Sequence, residues 1–489
     1  MIQRMLRLLA GLTGLIFVGL GLLFLTSPGG QFARFGVLAG GNSGLSTLRG
    51  DMGGLFLGMA LFILSGAIGG SSRLLTVPAV FLGFIVSGRM LGLIADGRSG
   101  NGGQSMAVEI VIAIILVFTI ASLRQGKAQG RGLGFAVTAG ALVLIIGGGA
   151  VVFQRQLGMA MARRALGQLN DRQLLPQLPD GLHAGLCGAG SPLADATRGG
   201  PCVFVVAGKH LFLFDTGDGS ARKLALMGIA PARIDGIFFT HFHSDHIAGL
   251  GDVLIQRWGG TSHADQTPVY GPQGVEILVA GFNQAYSLDK GYRVAHHGEK
   301  TMPPSGSGGI AHPFTIEPGS DVSQVVLRED GLTVTAFPVN HTPVFPAVGY
   351  RVDYGGRSIV ISGDTAPSPV LTRYAQGADV LFHEGLQPAM VAQIGTAMAA
   401  LNRAGAAKIM ADIPSYHTTP EDAARIAQQA GVRYLMFYHT IPPLPSAYMN
   451  AAFLGDAPKI FNGPVTVSKD GTMVSLTPGN TRVALRELL

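Results

Sequence analysis

Residues 240–250 read THFHSDHIAGL, in which His241, His243, Asp245 and His246 set four metal-ligand side chains within six positions. The segment follows IDGIFF, an apolar strand pattern, and precedes a helical one, so its polar residues occupy the loop at the C-terminal end of a strand. Imidazole and carboxylate together suit borderline divalent cations such as Zn²⁺. His241 and His243, alternating along extended chain, can face one ion while Asp245 and His246 turn towards a second. A lone histidine in an apolar setting is ordinarily a core residue; four ligand types spaced in one loop are not.

Three further residues have the same character. His341 follows a strand in VNHTPVFPAVGYRV, Asp364 ends one in IVISGDT, and His439 ends another in YLMFYHT. With the first loop they complete two sites, each with at least three protein ligands and room for water. Around them the sequence from Leu182 onward is made of short β runs and tight turns. Hairpins are expected in 202–217 at Gly208-Lys209, in 325–339 at Asp330-Gly331, in 350–364 at Gly355-Gly356 and in 465–476 at Asp470-Gly471. Helices are expected over Ile247–Trp258, Pro369–Gln376, Met390–Ala404 and Pro420–Ala430. Hairpins with interspersed helices predict two facing sheets covered by helices, an α+β arrangement and not a doubly wound parallel sheet.

The N-terminal third is of another kind. Five apolar runs, Leu8–Leu25, Met52–Gly70, Leu74–Ala95, Met106–Leu123 and Leu133–Phe153, are each near the roughly 18–22 residues that cross a hydrocarbon core as helix. They predict an all-α transmembrane module over 1–153, with lipid as its partner. Arg4 and Arg7 before the first run resemble a signal-peptide start, but no small-residue cleavage site follows, so the first helix is expected to be retained. Arg89 and Glu109 fall inside or near spans, where an unpaired charge is costly, and are expected to pair. Residues 154–180, with Arg155, Arg163 and Arg164, read as a linker able to lie on a membrane surface. Short-loop charges favour an inner N-terminus. Five spans then put the C-terminal portion outside, on an inner (cell) membrane of bacterial type; the basic cluster after Phe153 argues the other way.

Taken together, FDTG (214–217), HFHSDH, His341, Gly363-Asp364-Thr365 and His439 resemble, in order and kind, the metallo-β-lactamase fold, and within it the ribonuclease Z and arylsulfatase branch. ISGDTAPSPVLTRYAQGADVLFHEGL (361–386) is similar to the segment carrying the bridging aspartate and a His-Glu-Ala-Thr motif. SYHTTPEDAARIAQQAGVRYLMFYH (415–439) is similar to the segment carrying a His-Ser-Thr motif, a helix and the last ligand. The resemblance implies an αβ/βα sandwich over 181–489 binding two divalent metal ions, zinc with manganese or iron as alternatives. It implies His241, His243 and His341 at one ion, Asp245, His246 and His439 at the other, and Asp364 bridging them. It further implies Asp215 as a supporting residue behind the ligand loop and catalytic roles for Asp245, Glu384 and His417, the last two as a proton relay. His383-Glu384 is followed by Gly385-Leu386, and His417 by two threonines; these departures bear on substrate preference.

Hydrolysis of an ester, first of all a phosphodiester, is the implied reaction, with aryl sulfate, lactone or thioester as alternatives. Charge argues against nucleic acid, tRNA included. Up to Pro179 the net charge is +10, and from Asp180 on it is −4, whereas a nucleic-acid binder ordinarily presents a basic face. A small-molecule ester is expected instead, with oligomers left open. The stretch 259–324, with His263, His296, His297 and His312, reads as an insertion serving as a lid or as surface decoration. Cys187 and Cys202 suit either one disulfide or two buried thiols. A transporter or sensor with a regulatory soluble domain is the rival of another class, and few intramembrane charges speak against it. Di-iron redox chemistry on the same fold would want Glu where His243 stands.

Overall fold

The computed structural model describes residues 2–26, 46, 49–95, 102–124, 154–167 and 173–489. The chain divides into two compact units, Met1–Gly167 and Gln168–Leu489.

In the first unit, Ile2–Thr26, Arg49–Gly69, Ser72–Leu91 and Met106–Arg124 are long and apolar enough to cross a membrane. They cover four of the five expected spans; the fifth, Leu133–Phe153, lies outside the described residues. Close backbone approach packs the first two against each other. A Cβ at Gly14 would meet Leu64 at 2.8 Å, and one at Gly21 would meet Leu57 at 2.7 Å. These two glycines, two turns apart, let the first helix seat on the second. Arg7 donates to the carbonyls of Ala67 (2.7 Å) and Ile68, satisfying the C-terminal end of the helix Gly54–Gly69. Arg89 and Glu109 do pair, at 2.7 Å. Arg89→Ala is therefore expected to lower the unfolding midpoint of the detergent-solubilised chain, by on the order of 3 kcal/mol of stability. Pairing Arg89→Ala with Glu109→Gln should restore most of that loss. The start of the expected linker is a helix, Gln154–Gly167, and groups with this unit.

The second unit is a sandwich of two mixed sheets. The first contains β1 (Leu182–Gly188), β2 (Cys202–Ala207), β3 (His210–Phe214), β4 (Gly236–Phe238), β5 (Thr267–Pro272) and β6 (Gly309–Phe314). The second contains β7 (Gln324–Glu329), β8 (Leu332–Pro338), β9 (Val348–Tyr354), β10 (Arg357–Ile361), β11 (Val380–Leu386), β12 (Tyr434–Ile441) and β13 (Val465–Val467). The chain then returns to the first through β14 (Thr472–Leu476) and β15 (Ala484–Glu487), giving the orders β15-β14-β1-β2-β3-β4-β5-β6 and β13-β12-β11-β10-β9-β8-β7. In each sheet one half is parallel, β3 to β6 and β10 to β13. The C-terminal ends of parallel strands point the same way, so loops leaving them collect at one edge.

The core explains the strand patterns. Inward residues of both sheets, among them Val203, Val205, Phe214, Phe238, Val334, Val348, Tyr350, Phe382 and Met436, form one buried cluster. Each large side chain there contributes about 1.5–3 kcal/mol by leaving water. Outward residues of the two sheets pack under helices in two further clusters. At the centre Phe214 stacks on Phe238 (4.9 Å) and meets Tyr350 edge-on (5.1 Å). The Tyr350 hydroxyl donates to the Phe239 carbonyl at 2.6 Å, and Val348 N–H to the Thr240 carbonyl at 2.9 Å. These two bonds fasten the second sheet to the strand end that launches the histidine loop.

Three of the expected hairpins form, β2–β3, β7–β8 and β9–β10. The fourth does not: β13 pairs in parallel with β12 and β14 antiparallel with β1, in different sheets. Asp470 is the cause. Its carboxylate accepts from the N–H of Ala189 and Gly199, both at 2.9 Å, and Gly471 (φ +88°) donates to Leu186 O at 2.8 Å. The Asp-Gly pair thus turns the chain across the sandwich instead of back on itself. The stretch 259–324 is likewise not an appendage. It supplies β5, which alternates between buried and half-buried positions, and β6, which buries Gly309 and Phe314 at its ends, and carries the helices Val275–Ala285 and Ser287–His297 between them. Cys187 and Cys202 form a disulfide between β1 and β2.

Candidate metal centre

Every expected site residue arrives at the same edge of the sandwich. Thr240 to His246 leave the end of β4, His341 follows β8, Asp364 follows β10, Glu384 lies near the end of β11 and His439 near the end of β12. His241, His246, His341, Asp364 and His439 are almost wholly buried, and Asp215, after β3, is 1% exposed. Asp215 and His439 hold φ of +59° and +46°, a left-handed backbone that costs energy outside glycine and persists where surrounding contacts impose it.

The ligand-type atoms fall into two groups sharing one oxygen. His243 Nδ1 lies 3.0 Å from His241 Nε2 and 3.3 Å from His341 Nε2. His439 Nε2 lies 3.2 Å from Asp245 Oδ2, and His246 Nε2 lies 3.7 Å from the same oxygen. Asp364 Oδ2 stands between the groups, 3.9 Å from His241 and His341, 3.4 Å from His246 and 3.3 Å from His439. Ligand atoms about 2.0–2.2 Å from a tetrahedral ion sit roughly 3.3–3.5 Å apart, close to these spacings.

Hydrogen bonds behind the rings decide which nitrogens face inward. His246 Nδ1 donates to Asp215 Oδ2 at 2.8 Å, a carboxylate that can only accept. His341 Nδ1 donates to the Tyr416 carbonyl at 3.0 Å. Thr240 gives its hydroxyl proton to Asp215 Oδ2 (2.8 Å), so its oxygen accepts from His241 Nδ1 at 3.1 Å. Each of these rings is left with its Nε2 lone pair towards the same small volume. His246 Nε2 and Asp364 Oδ1 are buried there without a hydrogen-bond partner. Converging lone pairs and an orphaned carboxylate oxygen are mutually repulsive alone and suit cations, so the donor set fits divalent metal ions.

The electrostatics agree. Burial is the largest influence on Asp364 and opposes its ionisation, but His439 and His246 outweigh it and hold the carboxyl well below the usual range. Burial also works against a charge on His246, yet Asp364, Asp215 and Asp245 overcome it and push that pKa well up. Positive charge is favoured at this point, and a metal cation or a proton supplies it. His241 goes well down, first through burial and then through His246.

His417 stands beside the groups, its ring stacked 5.6 Å from that of His439. Its Nδ1 is 3.3 Å from Glu384 Oε1, an ion-pair distance, and that oxygen accepts from Thr418 N–H at 2.8 Å. Burial lowers the His417 pKa, and Glu384 more than reverses this, so the net shift is upward. Thr240 and the Tyr416 carbonyl are parts of the site that the motifs did not reveal; a backbone oxygen has no sequence signature. None of the four histidines of 259–324 joins it. His263 bonds the Ala232 carbonyl, His312 stacks on Tyr270, and His296 and His297 lie against each other on an exposed helix.

Residues 196–392 match the metallo-beta-lactamase superfamily. The chain is similar to ribonuclease Z of Mycobacterium sp. (strain KMS), 36% identical over 296 residues, which are 60% of this chain and 96% of that protein. It is similar also to ribonuclease Z of Mycobacterium bovis (strain BCG / Pasteur 1173P2), 35% identical over 61% of this chain and 99% of that one. Among solved structures, the short form of human tRNase Z is 20% identical with a TM-score of 0.44, covering 60% of this chain and 98% of its own. The chain belongs to the metallo-beta-lactamase superfamily, among the homologues of ribonuclease Z.

Proposed function

We propose that this protein is a membrane-anchored, binuclear metal-dependent hydrolase whose substrate bond is a phosphodiester. The observation that carries the reading is the position of Asp364 Oδ2, within 3.9 Å of histidine nitrogens from both groups. In it His241, His243 and His341 would hold one ion and Asp245, His246 and His439 the other, with Asp364 shared between them. Two divalent cations so held, zinc first by donor chemistry, supply an activated water and polarise the ester. The chain's own residues do the rest. Asp215, Thr240 and the Tyr416 carbonyl keep the imidazoles in the tautomers that present Nε2. Glu384 holds His417 protonated, and His417 gives that proton to the departing oxygen. His417 could instead be counted with Asp364 and His439 as a ligand; the carboxylate directly behind it favours the proton-transfer role.

Asp215→Asn keeps the size of the side chain but removes one of its two acceptor oxygens. It is expected to weaken metal binding about 10- to 100-fold, read by titration of the metal-stripped chain.

The mycobacterial relatives are named ribonuclease Z, which brings RNA into consideration beside small esters, against the expectation drawn from charge. Anchoring rests on the four apolar helices, and the disulfide favours an oxidising, extracytoplasmic compartment for the second unit. The test is a substrate panel on the full chain in nanodiscs, with metal content measured in parallel: phosphodiester, aryl sulfate, lactone and thioester. Preference for the diester with two ions per chain is expected. Activity confined to sulfate or lactone would replace the reading with its runner-up. A reporter fused at the C-terminus checks sidedness.

A further inference from the structure

The sheet edge that carries the site carries an apolar wall directly beside it. Leu386 lies two residues after Glu384, Ile441 two after His439, and Ile413 four before His417. With Val391 and Met410 they form a separate buried cluster, on which Leu193, Ile394 and Tyr416 pack while keeping part of their surface in solvent. Tyr416 joins wall to site, its ring 5.2 Å from that of His341 and 4.9 Å from that of His417. The helices Pro388–Ala400 and Ala404–Asp412 that form the wall's outer side are rich in alanine. Their charged residues are Arg403, Lys408 and Asp412, and Lys408 is spent on Asp412 at 2.7 Å. Leu401 (61%), just after the first helix, and Ile409 (56%), on the second, are exposed, as is Phe345 (51%), four residues after His341.

A polyanion would gain little here. Phosphate binding along a strand wants a row of free basic side chains, and this wall offers hydrocarbon with one unspent cation among its helices. What it stabilises is apolar surface brought out of water beside the reacting phosphorus. Among the described residues, four helices are able to cross a bilayer, the one phase where molecules of that kind are concentrated.

Building on the hydrolase reading above, we propose that the substrate is an amphiphilic phosphodiester, a lipid diester whose hydrocarbon chain lies along the wall of Leu193, Ile394 and Tyr416. Hydrolysis adds one water. The oxygen of water bonds to phosphorus, one P–O ester bond breaks, and His417 protonates the departing alkoxide to an alcohol, leaving a phosphomonoester; the proton given up by the water restores that of His417.

The experiment uses p-nitrophenyl alkyl phosphates with one to eight alkyl carbons, the full chain in nanodiscs, and Ile394→Asp, a residue outside the catalytic groups. Each methylene taken out of water is worth up to about a fourfold change in kcat/KM. A rise with chain length is expected in the unaltered protein, and Ile394→Asp should flatten it while leaving the methyl diester unaffected. A flat series in the unaltered protein overturns the proposal. So does an RNA oligonucleotide cleaved with higher kcat/KM than any alkyl diester and indifferent to Ile394→Asp. Binding of hexyl and dodecyl methylphosphonates to the metal-stripped chain reads the wall without catalysis. If no diester is hydrolysed, the proposed function fails. The wall then stands only if the dodecyl compound binds at least tenfold tighter than the hexyl one and Ile394→Asp erases the difference; equal binding overturns it.

Discussion

Asp364→Ala is expected to remove hydrolysis and to take bound metal from two ions per chain to one or none. The expectation follows from a single oxygen lying 3.3–3.9 Å from four histidine nitrogens contributed by both groups. In the proposed arrangement, removing one histidine would subtract a ligand from one ion, and removing Asp364 would subtract a ligand and a negative charge from both. The burial of the site sharpens the effect, because water cannot refill a position where His241, His246 and His439 are at most 1% exposed. His243→Ala, by contrast, should empty the His241–His341 site and leave the Asp245–His246–His439 one bound. Elemental analysis of the purified full chain beside activity on a diester separates the two variants. Two ions retained in Asp364→Ala would remove the bridging role.

His417→Ala has the opposite signature. The ring belongs to the proton relay in the proposed mechanism, so both ions should stay. The rate should fall about 100- to 10,000-fold for substrates with poor leaving groups. A nitrophenolate leaves without a proton, and its rate should change little. Glu384→Gln should reproduce a weaker form of this split, since the Glu384 carboxylate, 3.3 Å from His417 Nδ1, is what raises the pKa of the ring against its burial. Equal losses on good and poor leaving groups, or lost metal, would place His417 among the ligands instead.

The site was the most legible part of the chain, for a physical reason. A metal site needs particular side chains, and HFHSDH, Asp364 and His439 cannot be replaced by residues that merely pack. All seven expected ligands, with Asp215, Glu384 and His417, meet at one sheet edge. The residues that sequence reasoning passed over act through groups every residue has, such as the Tyr416 carbonyl, or through a hydroxyl with many structural uses, as in Thr240. The fold was legible where local chemistry decides it. Thr419 caps the helix Pro420–Ala430 by accepting from Asp422 N–H, Pro420 opens it and Gly431 ends it at φ +64°, over the bounds the sequence predicts. It was misread where tertiary contacts decide. Asp470-Gly471 has the letters of a hairpin turn, but the carboxylate is claimed by Ala189 and Gly199, far away in the chain. The stretch 259–324 reads in sequence as an insertion, yet its β5 and β6 extend the first sheet.

Anomalous diffraction at the edge of the bound metal, on crystals of the full chain, tests the whole account most directly. Two peaks about 3.5–4 Å apart are expected, with the Asp364 carboxylate between them. One peak alone, or a pair that leaves Asp364 uncoordinated, would contradict it.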